Sequence, residues 1–226
     1  FLQLPEAIAP AVVTWAPDLW SIRQFVAVLP HDDRIYVPAE AIDVEGFREG
    51  AVEISQKAES FHKDGSLLTA LETAREAVDR FRVLRARVGD TPQALRDLSV
   101  SLEMLGDVEL DAGNLMAATT AYRECLELDR RQRMRQGDTP QVLRDLSISL
   151  QKLGDVEREA GQLSVATEAY RESLELSRQL RERLGDTPQI LRDLSISLHK
   201  LGDVEREAGR FHAAMAAYRE SLELIR

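Results

Sequence analysis

The 226-residue chain has a single cysteine, Cys125, which excludes an internal disulfide framework and any multi-cysteine metal site. Aromatic residues make up only 5% of it. Ala, Leu, Glu and Arg dominate instead, and that composition favours helix over sheet. No apolar run approaches the roughly 20 residues a membrane span needs. Positive charge is in short supply, with 29 Lys and Arg against 39 Asp and Glu and a net charge of −10. A general nucleic-acid coat, which needs a basic face, is therefore disfavoured. The start, Phe1-Leu2-Gln3-Leu4-Pro5, has no basic segment ahead of an apolar one, so no signal peptide is visible and a cytoplasmic location is expected. A chain that opens on Phe1 is expected to be a piece of something longer.

Catalytic signatures are missing too. There is no His-Glu-x-x-His, no Walker-type glycine loop and no Gly-x-Ser-x-Gly elbow. The four histidines, His31, His62, His199 and His212, are scattered. His199 and Asp203 lie four apart, but two ligands are too few for zinc. The expectation is a protein with no catalytic residue, no metal and no cofactor.

What the chain does have is repetition. Gly-Asp-Thr-Pro recurs at 89–92, 137–140 and 185–188, 48 residues apart each time. Residues 89–136 and 137–184 match at 32 of 48 positions, and 137–178 and 185–226 at 33 of 42. Each copy reads as two helices. Thr139 is placed to cap the first and Pro140 to occupy its first turn, where a missing N–H costs nothing. Leu143, Leu146, Leu150 and Leu153 recur at helical spacing. Gly161 breaks the helix. Leu163, Ala166, Tyr170 and Leu174 mark a second one, which Gly185 ends. The fold class expected is all-α, an α–α superhelix, with both helices of each pair about 20 residues or ~30 Å long.

The pattern resembles the tetratricopeptide repeat. The residues that carry the likeness are Leu201-Gly202, Gly209, Phe211, Ala214, Tyr218 and Ser221 in the last copy. Leu153-Gly154, Gly161, Leu163, Ala166, Tyr170 and Ser173 match them in the middle one. Leu105-Gly106, Gly113, Leu115, Ala118, Tyr122 and Cys125 do so in the first. Departures are the period of 48 against the family's 34, Leu102, Leu150 and Leu198 where the family has Trp, and Glu109, Glu157 and Glu205 at its first-helix Tyr. Gly65, Leu67, Ala70, Ala74, Ala77 and Val78 fall in the same register and imply a degenerate copy, with Lys57-Ala58 in place of Leu-Gly. The expected domains are 46–226, an array with repeats near 46–88, 89–136, 137–184 and 185–226, and 1–45, a cap or the remnant of an upstream domain. Residues 1–45 hold five of the eight prolines and both tryptophans. Segments 24–29 and 34–38 suggest a short β-hairpin, and Trp15, Trp20 and Phe25 would form the cap.

The resemblance implies a non-catalytic scaffold that binds a peptide or partner helix in a concave groove lined by first helices. Mapped onto this sequence, the inward positions are Glu103, Asp107 and Asp111, then Gln151, Asp155, Arg158 and Glu159, then His199, Asp203, Arg206 and Glu207. Asp107, Asp155 and Asp203 form a ladder that suits a basic peptide, or a solvated face balanced by nearby arginines. Glu103/Gln151/His199 and Met104/Lys152/Lys200 vary where the rest repeats, as a reading surface would. The chaperone-tail clamp of some family members is not expected, because its Asn position is Asp here. Arrays of this near-identical kind also resemble those in bacterial multidomain signalling proteins. Alternatives are therefore a sensor or regulatory arm of an NTPase or caspase-like protease, and a self-assembly module. The last copy stops at Arg226 without a polar capping helix, which leaves two readings: a fragment of a longer protein, the one favoured, or self-association through that end. The repeated serines (Ser99/Ser101, Ser147/Ser149, Ser195/Ser197) and Cys125 read as small side chains at close helix contacts. The arginines that end each second helix complement its dipole.

Overall fold

The computed structural model describes residues 27–28, 35–36 and 43–224. The chain divides into two units, Phe1–Phe47 and Arg48–Arg226. In the first, strands β1 (Ala27–Val28) and β2 (Ile35–Tyr36) pair antiparallel, with Ala27 opposite Tyr36. Trp15, Trp20 and Phe25, the expected cap, lie outside the described residues.

Eight helices follow: α1 (Val44–Lys63), α2 (Leu67–Val88), α3 (Pro92–Asp111), α4 (Leu115–Gln136), α5 (Pro140–Glu159), α6 (Leu163–Leu184), α7 (Pro188–Glu207) and α8 (Phe211–Glu223). From α3 on they form the expected hairpins, α3/α4, α5/α6 and α7/α8. First helices run 20 residues, and the complete second helices 22. The additional length over a 34-residue repeat is therefore helix, not loop.

Each residue of Gly-Asp-Thr-Pro has a separate task. Gly137 takes φ +70°, a left-handed conformation open to glycine, and its N–H bonds to Arg133 O at 2.8 Å to close α4. Asp138 accepts from Arg133 Nε at 2.6 Å, reaching back into that last turn. Thr139 Oγ1 accepts from Val142 N at 3.3 Å as the N-cap, and Pro140 opens α5. The hydrogen bond from Arg133 holds the Asp138 carboxyl below the usual carboxylate range. The turn inside each hairpin is a Schellman motif: Gln162 N bonds to Glu157 O and Gly161 N to Arg158 O.

The core is leucine-rich. Leu143, Leu146 and Leu150 of α5 are buried together with Tyr122 and Leu126 of α4 and Leu176 and Leu180 of α6. Leu102, Leu150 and Leu198, in the family's Trp position, are also buried. The tyrosine of each second helix lies on the glycine of the first: a Cβ built on Gly154 would stand 2.5 Å from the Tyr170 ring. Glu109, Glu157 and Glu205, in place of the family's Tyr, are 3%, 3% and 1% exposed. Each is reached by an arginine of the preceding second helix, Arg75, Arg123 and Arg171, at 2.7, 2.6 and 2.5 Å. A buried carboxylate without a cation is costly, so this pairing ties each hairpin to the next. Arg82, Arg130 and Arg178 bridge to Glu124, Glu172 and Glu220 on the following second helix. The arginine edge is thus paired within the protein.

Gly154→Ala should cost about 1–3 kcal/mol, because the new methyl displaces the Tyr170 ring from a packed site. Chemical denaturation checks this, and the loss should shrink in Gly154→Ala/Tyr170→Leu, where the ring is gone.

Candidate partner-binding surface

Direct contact between successive first helices, α3 with α5 and α5 with α7, marks the inner side of the array. Successive second helices make no contact of comparable extent among the described residues. On each first helix one stripe faces outward at spacings of three and four. In α3 it carries Gln93, Arg96, Val100, Glu103 and Asp107.

Two rails of ion pairs run along this face. Arg48–Asp97, Arg96–Asp145 and Arg144–Asp193 step from helix to helix at 2.6, 3.8 and 3.5 Å. The other rail contains the aspartate ladder. Asp107 receives Lys152 Nζ at 2.6 Å and the Tyr122 hydroxyl at 2.6 Å. Asp155 receives Lys200 Nζ and the Tyr170 hydroxyl at the same distances. Asp203 accepts from Tyr218 at 2.7 Å and has Arg158 at 3.8 Å. The ladder is therefore balanced inside the chain, by lysines of the following repeat for Asp107 and Asp155. Leu-Gly-Asp followed by Tyr is one device: glycine admits the ring, and aspartate takes its hydroxyl.

The other expected positions separate. Asp111 pairs with His62 at 2.6 Å, and Glu207 with Arg158 at 3.8 Å. Gln151 and His199 turn back to serines of their own surroundings. Glu159 and Arg206 are exposed near the helix ends, and Arg206 is pushed further up by the Tyr218 hydroxyl. Met104 packs in the core beside Ala70, Leu71 and Val108.

Between the rails lies a feature that the sequence reading missed. Val100, Ile148 and Ile196 occupy equivalent places and are 56%, 37% and 42% exposed. They form an apolar row in an otherwise polar stripe. The signal was available, since each sits between the two serines of a repeated Ser-x-Ser. A small cleft opens between Val100 and Ile148, lined also by Arg96, Glu103, Asp129, Asp145 and Ser149.

Asp129 was also missed. It is 3% exposed, and it accepts from Ser99 Oγ at 2.6 Å and from Ser149 Oγ. Burial pushes its carboxyl above the usual range, against the two serines that favour the charged form. Cys125 sits in the same cluster, near Ser99 and Ser149, and burial pushes its thiol up to about 12. A thiol in that state is a packed small side chain and a poor nucleophile. The serines are thus a buried hydroxyl network as well as small contacts. Among the described residues, no group of three or more His, Cys, Asp and Glu is arranged to hold a metal ion, and no helix is long and apolar enough to cross a membrane.

A tetratricopeptide-repeat family model matches residues 196–226. The match falls on the last copy, and the array as a whole has the fold of a helical repeat. Its fold is similar to the apo form of RapI, with a TM-score of 0.62 at 13% identity over 79% of this chain. The de novo designed helical repeat protein DHR64 gives 0.51 at 19% identity over 80% of this chain and 96% of its own. The chain spans 43% of the length of RapI. A search of curated proteins finds no match.

A group whose folded pKa is raised gives its full stability below the unfolded value, about 4, and loses it as pH rises through the folded value. Asp129→Ser, which copies Ser177 of the next repeat, should therefore raise thermal stability at pH 7.5. The gain should shrink toward pH 4. Melting curves at the two pH values check both sign and trend.

Proposed function

We propose that this chain is a non-catalytic protein-interaction scaffold that holds a peptide or partner helix against its first-helix face. The observation that carries this reading is the row Val100, Ile148 and Ile196. Its members are exposed, aligned by the repeat and flanked on both sides by charges that already have partners. A flanking charge with an internal partner is neither a strong attractant nor a loose chain to be ordered on binding. The row then supplies apolar contact, and the rails supply the polar rim. A groove built from packed helices is formed before the partner arrives, which lowers the ordering cost of association.

The experiment is the variant Val100→Lys/Ile148→Lys/Ile196→Lys. All three side chains are at least one-third exposed, so the fold should be little affected. Proteins captured from the native host by the wild type should be lost with the variant. A captured partner, purified and titrated, should bind the variant at least about tenfold more weakly. An unchanged partner set and affinity would reject the face. Asp155→Lys is a poorer probe, because it also removes the acceptor of Tyr170 and Lys200.

A further inference from the structure

The joints between hairpins repeat the same ion pairs, and the α7/α8 hairpin holds its half of them without the other. An arginine of a first helix reaches the aspartate 49 residues on, as Arg48 does Asp97, and Arg144 pairs with Asp193 in the same way. An arginine of a second helix reaches the buried glutamate 34 residues on, as Arg123 does Glu157. An aspartate of a first helix receives the lysine 45 residues on, as Asp107 does Lys152. At the equivalent places of the last hairpin stand Arg192, Arg219 and Asp203. Arg192 and Arg219 are exposed and make no ion pair or hydrogen bond among the described residues. Asp203 has the Tyr218 hydroxyl, and Arg158 at 3.8 Å, but no lysine among the described residues.

The apolar part of the joint is open in the same way. Leu126 and Leu174 are 5% and 4% exposed, packed against leucines of the following first helix. Their equivalent, Leu222, is 58% exposed. Met215 is half-exposed where Thr167 is buried, and Phe211 stands more open than Leu115 and Leu163.

Within the array one kind of helix covers this face. In α5 it presents Asp145, Lys152 and Glu157, at i, i+7 and i+12, and α7 presents Asp193, Lys200 and Glu205 at the same intervals. Helix α1 is of another kind, with Glu49, Gln56 and Phe61 at those places. A second copy docked by α1 would answer Arg192. It would set a phenyl ring against Arg219 and give Asp203 no lysine.

We propose that the α7/α8 face is a docking site for a partner helix that carries Asp, Lys and Glu at i, i+7 and i+12, with leucines on the same side. Charge selects this occupant. Apolar attraction is non-directional, so Leu222, Met215 and Phe211 would accept many amphipathic helices. Two cations and a carboxylate at fixed places are answered together by one spacing. The glutamate matters most, since its equivalents are almost wholly buried once the joint is made, and a buried carboxylate without its arginine is costly. The face is separate from the row Val100, Ile148 and Ile196, so it stands or falls independently of the groove reading.

The test uses the 226-residue chain and two peptides, each held helical by a hydrocarbon staple on its solvent side. One has the sequence of Pro140–Glu159, the other that of Val44–Lys63. Fluorescence anisotropy should show the first binding at least about tenfold tighter than the second. Arg219→Glu removes no bond among the described residues and should leave the fold intact. It should weaken the first peptide at least about tenfold, and Glu157→Arg in the peptide should recover the loss. Val100→Lys/Ile148→Lys/Ile196→Lys should leave this binding unchanged. Equal affinities for the two peptides, binding of neither, or indifference to Arg219→Glu would overturn the proposal. So would loss of binding in the triple variant, which would place the peptide in the groove instead. Sedimentation of the chain alone should show a monomer. A dimer that Arg219→Glu dissociates would make a second copy the occupant and overturn the proposal as well.

Discussion

The seating of a tyrosine ring on a glycine, once per repeat, is the contact from which the rest of the array follows. Gly106, Gly154 and Gly202 each leave the space that a ring from the following helix fills, so the two helices of a hairpin approach closely at that level. The hydroxyl then stands at the edge of the ring and meets an aspartate one residue beyond the glycine. In two of the three copies that aspartate also takes a lysine from the next repeat. One steric fact inside a hairpin thus orients a polar group that fastens two hairpins together. The lysine bridges half-exposed groups and contributes modestly on its own; its position comes from the packing beneath it.

A solenoid has no contacts between distant parts of its chain, so its stability is a sum of local terms. Here the joints combine three kinds of interaction. Leucines supply burial, which sets the scale of the stabilisation. The Arg–Glu pairs around Glu109 and Glu157 contribute selectivity more than strength, because a neighbour lacking the arginine would strand a buried charge, whereas Glu205 also has Arg210 of its own repeat. The serine network, with Asp129 at one joint, makes that joint chemically distinct from the next. The joints are therefore alike in geometry and unlike in electrostatics.

Much of the fold was legible in the residues. Gly-Asp-Thr-Pro announces its own turn, since a left-handed glycine, an N-cap and an N1 proline are all local in cause. The second helix of the middle repeat, marked in the sequence from Leu163 and ended by Gly185, runs from Leu163 to Leu184. Burial of charge was not legible. Glu157 looks like any solvated glutamate of a helix, and its partner Arg123 lies 34 residues away in another hairpin. Asp129 is hidden for the same reason, because the helix that covers it belongs to the next repeat. The aspartate ladder was visible as a pattern. Its partners, Tyr122 and Lys152, could be assigned only once the rings and the following helix were in place. The apolar row was passed over because one valine or isoleucine in a polar stripe is unremarkable until the repeat aligns it with two others.

The bonds between hairpins recur at fixed offsets of 34, 42, 45 and 49 residues. An in-frame duplication or deletion of 48 codons would keep every such offset intact at the new seam. Such a gene can lengthen or shorten its product by recombination between near-identical segments, without inventing a single new interaction. Array length is then a quantity that heredity can adjust in whole steps, while the few unlike positions, such as Glu103 and Asp129, mark one segment apart from its neighbours.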